Sequence, residues 1–302
     1  MASSESTSTE DGAAEEMLPG IRHVIAVASG KGGVGKSTVS ANLALALTAK
    51  GARVGVVDAD IQGPSIPTMM GVPRGVPPEI EEDGRAGPAV SHGVKLMSMA
   101  LLADDDTPAI LRGPMVTQYM QMFIGGVNWG ELDYLLIDLP PGTGDVQLTL
   151  AQSIPLSGAI VVSTPQDVSL NIARRGLRMF EQLRVPVLGV IENMSSFVCP
   201  HCQERTDVFG SGGGARMADQ LSVPFLGGIP LDAAVVEAGD AGLPLVVKVP
   251  EGPVGKAYED IAGNLTEVLA RPREEGLGSF VWDWEADEGR PPWRPGAVRI
   301  ED

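Results

Sequence analysis

Residues 30–37 read Gly-Lys-Gly-Gly-Val-Gly-Lys-Ser. They fit the spacing G-x-x-x-x-G-K-S/T directly after an apolar run and at the opening of a helical one. Glycines there let successive backbone N–H groups turn inward around phosphate oxygens, and the start of a helix adds partial positive charge at the same point. Lys36 can reach the β- and γ-phosphates of a nucleotide, and the Ser37 hydroxyl can ligate Mg²⁺. The phosphate-binding run is therefore Gly30, Lys31, Gly32, Gly33, Val34, Gly35, Lys36, Ser37 and Thr38. Lys31 opens the loop, where a cation cannot easily fold back onto its own phosphates. Two readings stay open for it: a solvated loop lysine, or a group serving a nucleotide held by a second subunit and stabilising transition-state charge there.

Carboxylates complete the candidate chemistry. Asp58 and Asp60 follow an apolar run in VVDADIQGPS, and Asp138 ends DYLLID. Open α/β sheets bind ligands beyond the carboxyl ends of their strands, which is where these residues fall. Asp138 is placed to hold Mg²⁺, Asp60 to orient an attacking water, and Asp58 to support the loop or the Mg²⁺ shell.

Cys199-Pro200-His201-Cys202 is the remaining reactive group, and Cys199 and Cys202 are the chain's 2 cysteines. Thiolates at C-x-x-C spacing can hold zinc, share an iron–sulfur cluster or exchange disulfides. A closed tetrahedral zinc site or a cubane cluster takes four ligands, so one chain supplies half a site and two chains about a two-fold axis would supply a whole one. His201 is either a further ligand or a modulator of the thiolates.

The elements that must carry these groups alternate along the chain. Apolar, β-branched runs at 23–29, 53–58, 93–99, 133–138, 157–164, 185–193 and 223–229 read as strands, with the C-x-x-C in a loop after 185–193. Helical spacing falls at 37–50, 113–124, 145–153, 168–183, 211–221 and 252–270. Strand–helix alternation with near-continuous apolar strands predicts a doubly wound α/β fold, a mostly parallel sheet with helices on both faces. Residues 74–92, rich in Pro, Gly and Glu, read as a surface loop. Residues 1–20 read as an acidic disordered leader, 21–270 as one nucleotide-binding domain, and 271–302 as an acidic tail with three of the chain's 4 tryptophans.

The 302 residues carry 22 Lys+Arg against 39 Asp+Glu, a net charge of -17. A surface of that sign repels nucleic-acid phosphates unless a local basic patch intervenes, and none stands out, so nucleic-acid binding is not expected. No apolar run reaches the ~20 residues of a membrane span, and no basic, apolar signal peptide opens the chain. With two cysteines and no disulfide framework, the expected compartment is reducing and cytoplasmic.

The motifs together resemble a known family. GKGGVGKST, DADIQGPS, RGPM (112–115), LLIDLPPGTGD, TPQDVSL (164–170), ENMSSFVCPHC (192–202) and GGIPLD (227–232) are similar to those of the Mrp (ApbC-like) iron–sulfur cluster carriers, among the deviant-Walker, MinD-related P-loop ATPases. The resemblance runs from about His23 to Ala270. It implies a P-loop domain that forms a face-to-face homodimer, hydrolyses ATP with Mg²⁺ near the interface and sends Lys31 to the neighbouring site. It implies Asp60 as the water-positioning switch residue and Asp138 as the Walker B position. It also implies Asn193 at the adenine, with Pro230, inside the stretch Gly228–Asp232, near the base. Cys199 and Cys202 would bridge a labile 4Fe-4S cluster between subunits, received from an assembly scaffold and passed to apo iron–sulfur proteins.

Rival functions are weaker on the same residues. A MinD- or ParA-like partitioning ATPase needs a basic amphipathic helix or a basic surface, and has no use for C-P-H-C. A nucleotide-driven electron donor like the nitrogenase iron protein draws its cysteines from two separate loops. A zinc-binding or redox C-x-x-C ATPase remains the third alternative. No N-K-x-D base-reading motif points to GTP.

Overall fold

The computed structural model describes Leu18 and residues 20–61, 63–102, 113–142, 144–199, 201–202 and 204–271. The tail expected from 272 onward, most of the leader, Arg112 of the RGPM run and Pro200 of the cysteine motif lie outside the described residues.

The apolar runs form the strands because each must be covered on both faces. Among the described residues the strands are β1 (Ile21–Ser29), β2 (Val54–Asp58), β3 (Ala89–Ser91), β4 (Val94–Ser98), β5 (Leu132–Asp138), β6 (Gly158–Ser163), β7 (Val187–Val198), β8 (Arg205–Thr206) and β9 (Phe225–Leu231). They join one sheet in the order β3-β4-β2-β5-β1-β6-β7-β8, with β9 also pairing β7. The pairings from β4 across to β7 and β9 are parallel, while β3 and β8 are short antiparallel additions. Every residue of β2 and of β6 is buried, as parallel strands beneath two helical layers must be.

The helices are α1 (Lys36–Ala49), α2 (Ile66–Met69), α3 (Gly113–Gly125), α4 (Asp145–Ser153), α5 (Asp167–Gln182), α6 (Gly213–Gln220), α7 (Ala233–Asp240), α8 (Leu245–Lys248) and α9 (Pro253–Ala270). Two apolar cores separate them into layers. One joins Phe123 of α3, Leu150 of α4, Leu177 and Phe180 of α5 and Met217 of α6 to one sheet face. The other joins Leu43 and Leu47 of α1 and Tyr258, Ile261 and Leu265 of α9 to the opposite face. The doubly wound α/β fold read from the alternation is the fold the chain adopts. Among the described residues no helix is long and apolar enough to cross a membrane.

Three local features differ from the sequence reading. The stretch 74–92 is not loop throughout: its last residues form β3, hydrogen-bonded along β4 through Ala89↔Leu96 and Ser91↔Val94. Strand β7 runs past 193 to Val198 and pairs with β8 through Phe197↔Thr206 and Val198↔Arg205. The C-x-x-C therefore sits at the tip of a hairpin, not in a plain loop. Leu18, read with the leader, is 5% exposed and packs into the first core. The first two are hairpins closed by residues near in sequence, whereas the burial of Leu18 needs a core assembled from distant segments.

Candidate nucleotide site and cysteine hairpin

The candidate site lies beyond the carboxyl ends of β1, β2 and β5. These strands are neighbours in the sheet, and their chains leave toward opposite faces, opening the crevice in which such sheets bind ligands. The phosphate loop joins β1 to α1. Gly35 has φ +80, a conformation that disfavours a side chain, and a Cβ there would run into Asn193 Nδ2. A Cβ on Gly30 would meet the Ile172 and Ala173 backbone at 2.7–2.8 Å, so glycine lets α5 lie against the loop. No side chain caps α1 and its first turn holds no acidic residue. Its leading N–H groups and its dipole point into the loop with no side-chain cap, a setting that favours an anion.

Asp138 is the hub of the site. Its Oδ2 lies 2.6 Å from Lys36 Nζ and accepts from Ser37 Oγ at 2.6 Å, while its Oδ1 accepts from Ser40 Oγ at 2.6 Å. All three donors project from α1, at one position and the positions one and four residues on, which places Lys36 and Ser40 on one helical face. Asp138 is fully buried and Lys36 is 5% exposed. A buried charge pair with both carboxylate oxygens satisfied is the arrangement that tolerates burial. Lys36 and Ser37, the groups expected to meet phosphate and metal, are therefore held on Asp138 here.

Asp58 is the register partner of Asp138 on the adjacent strand. It is fully buried, and its Oδ2 accepts from Ser65 N at 3.0 Å, Ile66 N at 3.1 Å and Ser98 Oγ at 3.4 Å. Its Oδ1 accepts from Asp60 N at 3.2 Å. Both ends of the loop 58–66 thus hang on one carboxylate. Burial, and then the charge of Asp138, raise the Asp58 pKa from 3.8 to about 7, against the lowering pull of the Ile66 N–H and Lys36.

The loop that Asp58 holds carries Asp60 into a cleft of about 460 Å³ whose lining also includes Lys31, Lys36, Ser37 and Thr38. Asp60 is half-buried, with Oδ1 accepting from Gly63 N at 3.3 Å. Sequence reading missed part of the lining, including Thr68 and Met69 of α2, Arg74, and Gly239 and Asp240 at the end of α7. It also missed Ser40, whose place one helical turn beyond Lys36 was a usable signal. Asn193 and Pro230, placed by resemblance near the base, are not in this lining. Asn193 is 8% exposed and donates from Nδ2 to the Val34 carbonyl at 2.8 Å. Pro230 is a half-buried residue of β9.

The cysteine hairpin rises from the same strand that carries Asn193. Cys199 N donates to Glu204 O at 3.0 Å, closing the hairpin below the two thiols. Cys199 is half-buried and Cys202 exposed, and both are free. The backbone N–H groups of Cys202 and His201, then the Cys202 side chain, lower the Cys199 pKa, which favours the thiolate that binds metal or attacks disulfides. Among the described residues no three His, Cys, Asp or Glu side chains gather as a metal site. Within one chain the pair remains two ligands.

Comparison with known proteins places this geometry. A family model described as NUBPL iron-transfer P-loop NTPase, of the ParA group, matches residues 20–266. An Arabidopsis thaliana protein named as an iron–sulfur protein required for NADH dehydrogenase, mitochondrial, is 48% identical over 86% of this chain and 83% of its own. A Synechocystis protein named iron–sulfur cluster carrier protein is 51% identical over 81% of this chain and 70% of its own. Among solved structures, an Archaeoglobus fulgidus nucleotide-binding protein in complex with ADP is 39% identical, with a TM-score of 0.71 over 82% of this chain and 96% of that one. The Pyrococcus furiosus cell division ATPase MinD, 22% identical with a TM-score of 0.63 over 82% of this chain and 99% of that one, shares the fold.

Proposed function

The chain belongs to the family of NUBPL-type iron-transfer P-loop NTPases, and on that premise we propose that it is an ATP-hydrolysing iron–sulfur cluster carrier. Two copies hold a 4Fe-4S cluster between their cysteine hairpins and pass it to apo-proteins in the cytoplasm, after receiving it from an assembly scaffold. The observation that carries the reading is the pairing, on one sheet edge, of a phosphate loop with an exposed C-x-x-C that is half a metal site. Two hairpins about a two-fold axis supply the four thiolates one cubane takes.

The chain's own residues divide the work. Gly30 to Ser37 and the N-terminus of α1 cradle the phosphates, and Lys36 leaves Asp138 to meet them. The hydroxyl of Ser37 and the carboxylate of Asp138 stand 2.6 Å apart. They are hard oxygen donors of the kind Mg²⁺ takes, so these two would hold it. When bound, that ion supplies positive charge to the phosphate oxygens. Asp60, carried on the loop tied to Asp58, orients water toward the terminal phosphate. Lys31 lines the cleft and serves the nucleotide of the partner subunit, where charge develops in the transition state. The lowered pKa of Cys199 favours the thiolate form that would bind the cargo.

Anaerobic loading of the full chain with iron and sulfide, followed by iron, sulfide and zinc analysis and a solution mass, tests the reading. About four irons per dimer, lost in Cys199→Ser, is the expected result. Iron retained by that variant removes the hairpin from the site, and zinc in place of iron selects the zinc alternative. Lys36→Ala is expected to lose both nucleotide binding and cluster transfer, and full transfer by it refutes coupling to ATP.

A further inference from the structure

We propose that Asn193 is a coupling strut through which phosphate capture at the loop reaches the cysteine hairpin. The inference rests on the carrier reading and concerns its regulation.

Both polar atoms of the Asn193 side chain are committed to backbone. Nδ2 donates to the Val34 carbonyl at 2.8 Å, and Oδ1 accepts from Met194 N at 3.0 Å. The Val34 carbonyl belongs to the same peptide plane as the Gly35 N–H, and the described peptides include no cis bond. In a trans peptide the N–H and C=O point in opposite directions within one rigid plane. A phosphate oxygen that takes the Gly35 N–H therefore sets the direction of the carbonyl that Asn193 holds. An anion that draws the Gly35 N–H to a new direction turns that carbonyl with it, and so loads or unloads the bond. Gly35 lets Asn193 come this close, because any Cβ there would displace the amide.

On the far side of Asn193 the strand has a joint. Met194 has φ 58, and the β7–β9 register shifts between Asn193 and Phe197. Upstream of the joint the chain is fixed, because Glu192 is 2% exposed and accepts from Gly214 N in the first turn of α6. Downstream, Phe197 pairs with Thr206 of β8 and with Leu231 of β9, Val198 pairs with Arg205, and Cys199 follows directly. The path from Asn193 to Cys199 is at most about 20 Å of extended chain. A strut that pushes on a fixed residue transmits little; one beside a joint moves what lies beyond it. The element with two arrangements is this joint, biased at one end by the phosphate loop and at the other by whatever the thiols hold.

The test uses the metal-free full chain under anaerobic reducing conditions, so that its outcome is independent of iron loading. Iodoacetamide alkylation of Cys199 and Cys202 is followed by mass spectrometry, with and without saturating Mg-ADP or Mg-tripolyphosphate. Either phosphate compound is expected to slow alkylation in the unsubstituted chain by about fivefold, the lower end of ordinary allosteric coupling. Asn193→Ala, measured at its own saturating concentration, is expected to lose that difference. An equal slowing in Asn193→Ala overturns the proposal. So does slowing by ADP and none by tripolyphosphate, which would make Asn193 a reader of the base. Hydrogen exchange of the amides at 194–198 in the unsubstituted chain gives a measurement that needs no variant: protection by tripolyphosphate is expected, and unchanged exchange overturns the strut. If the strut fails while iron loads normally, the carrier reading stands, and the reverse holds equally.

Discussion

Asp138→Asn should weaken the fold and tighten one kind of binding, because one carboxylate holds two groups, Lys36 and Ser37, proposed to serve the nucleotide. In the structure Lys36 Nζ lies 2.6 Å from Asp138 Oδ2, with the two side chains 5% and 0% exposed. Removing one partner of a buried ion pair typically costs about 3–5 kcal/mol. Asparagine softens this, since its oxygen can still accept from Lys36 and Ser37 while its amide turns to Ser40 Oγ. What is lost is the charged share of those bonds, so about 2 kcal/mol of stability is the expected loss. The effect on binding has the opposite sign. Lys36 must leave Asp138 to meet phosphate, and without the carboxylate charge that step is easier and a repulsion is gone. A gain of about 1.4 kcal/mol makes ADP bind about tenfold tighter in EDTA. The tightening by Mg²⁺ seen in the parent should shrink or vanish, because Asp138 is one of the two oxygens expected to hold the ion. Urea unfolding measures the first effect, and calorimetric ADP titration with EDTA or Mg²⁺ measures the others. Weaker ADP binding in EDTA by the variant than by the parent would refute the view that Asp138 restrains Lys36.

Ser40→Ala removes a buried 2.6 Å hydrogen bond to Asp138 and should destabilise the chain by about 2 kcal/mol in urea unfolding; no measurable loss would mean the hydroxyl is satisfied by the Lys36 carbonyl alone. Asp58 has its folded pKa raised from 3.8 to about 7, so its proton stabilises the fold fully below pH 4 and that stability drains away as pH rises through 7. The loss amounts to about 4 kcal/mol, spread from about pH 4 to pH 7, and Asp58→Asn should remove that decline; an unchanged pH profile in the variant counts against it. Lys31→Ala should lower ATP turnover with little change in ATP affinity. Mixing it with Lys36→Ala should recover activity through hybrid dimers, and a mixture no more active than its parts would show that Lys31 does not act across the interface.

The phosphate loop was legible in the sequence because its chemistry is local. The proposed ligands are backbone N–H groups of contiguous residues, so spacing alone specifies them, and Lys31 to Thr38 line the cleft with little help from elsewhere beyond Asn193 and α5. Asp58 and Asp138 were legible for a related reason: each ends a wholly apolar run, and a parallel sheet brings its strand ends to one edge. Resemblance placed Asn193 and Pro230 near a base, whereas the structure puts Asn193 on the Val34 carbonyl and leaves both residues out of the cleft lining.

What the amino-acid order determined by itself is the alternation of buried strands and covering helices, the phosphate loop and the presence of two thiols. Those follow from apolar periodicity, glycine spacing and residue identity, all carried within a few residues of one another. Tertiary structure alone decided that Ser40 meets Asp138 across 98 residues, that Arg74 and Asp240 share a cleft with Lys31, and that two residues of β8 turn the cysteine loop into a hairpin. The first two depend on the register and packing of chain segments far apart in sequence, and the hairpin on strand β7 being carried past the sheet as one continuous strand. A single side chain's type carries no mark of the partner it will find once the sheet has closed.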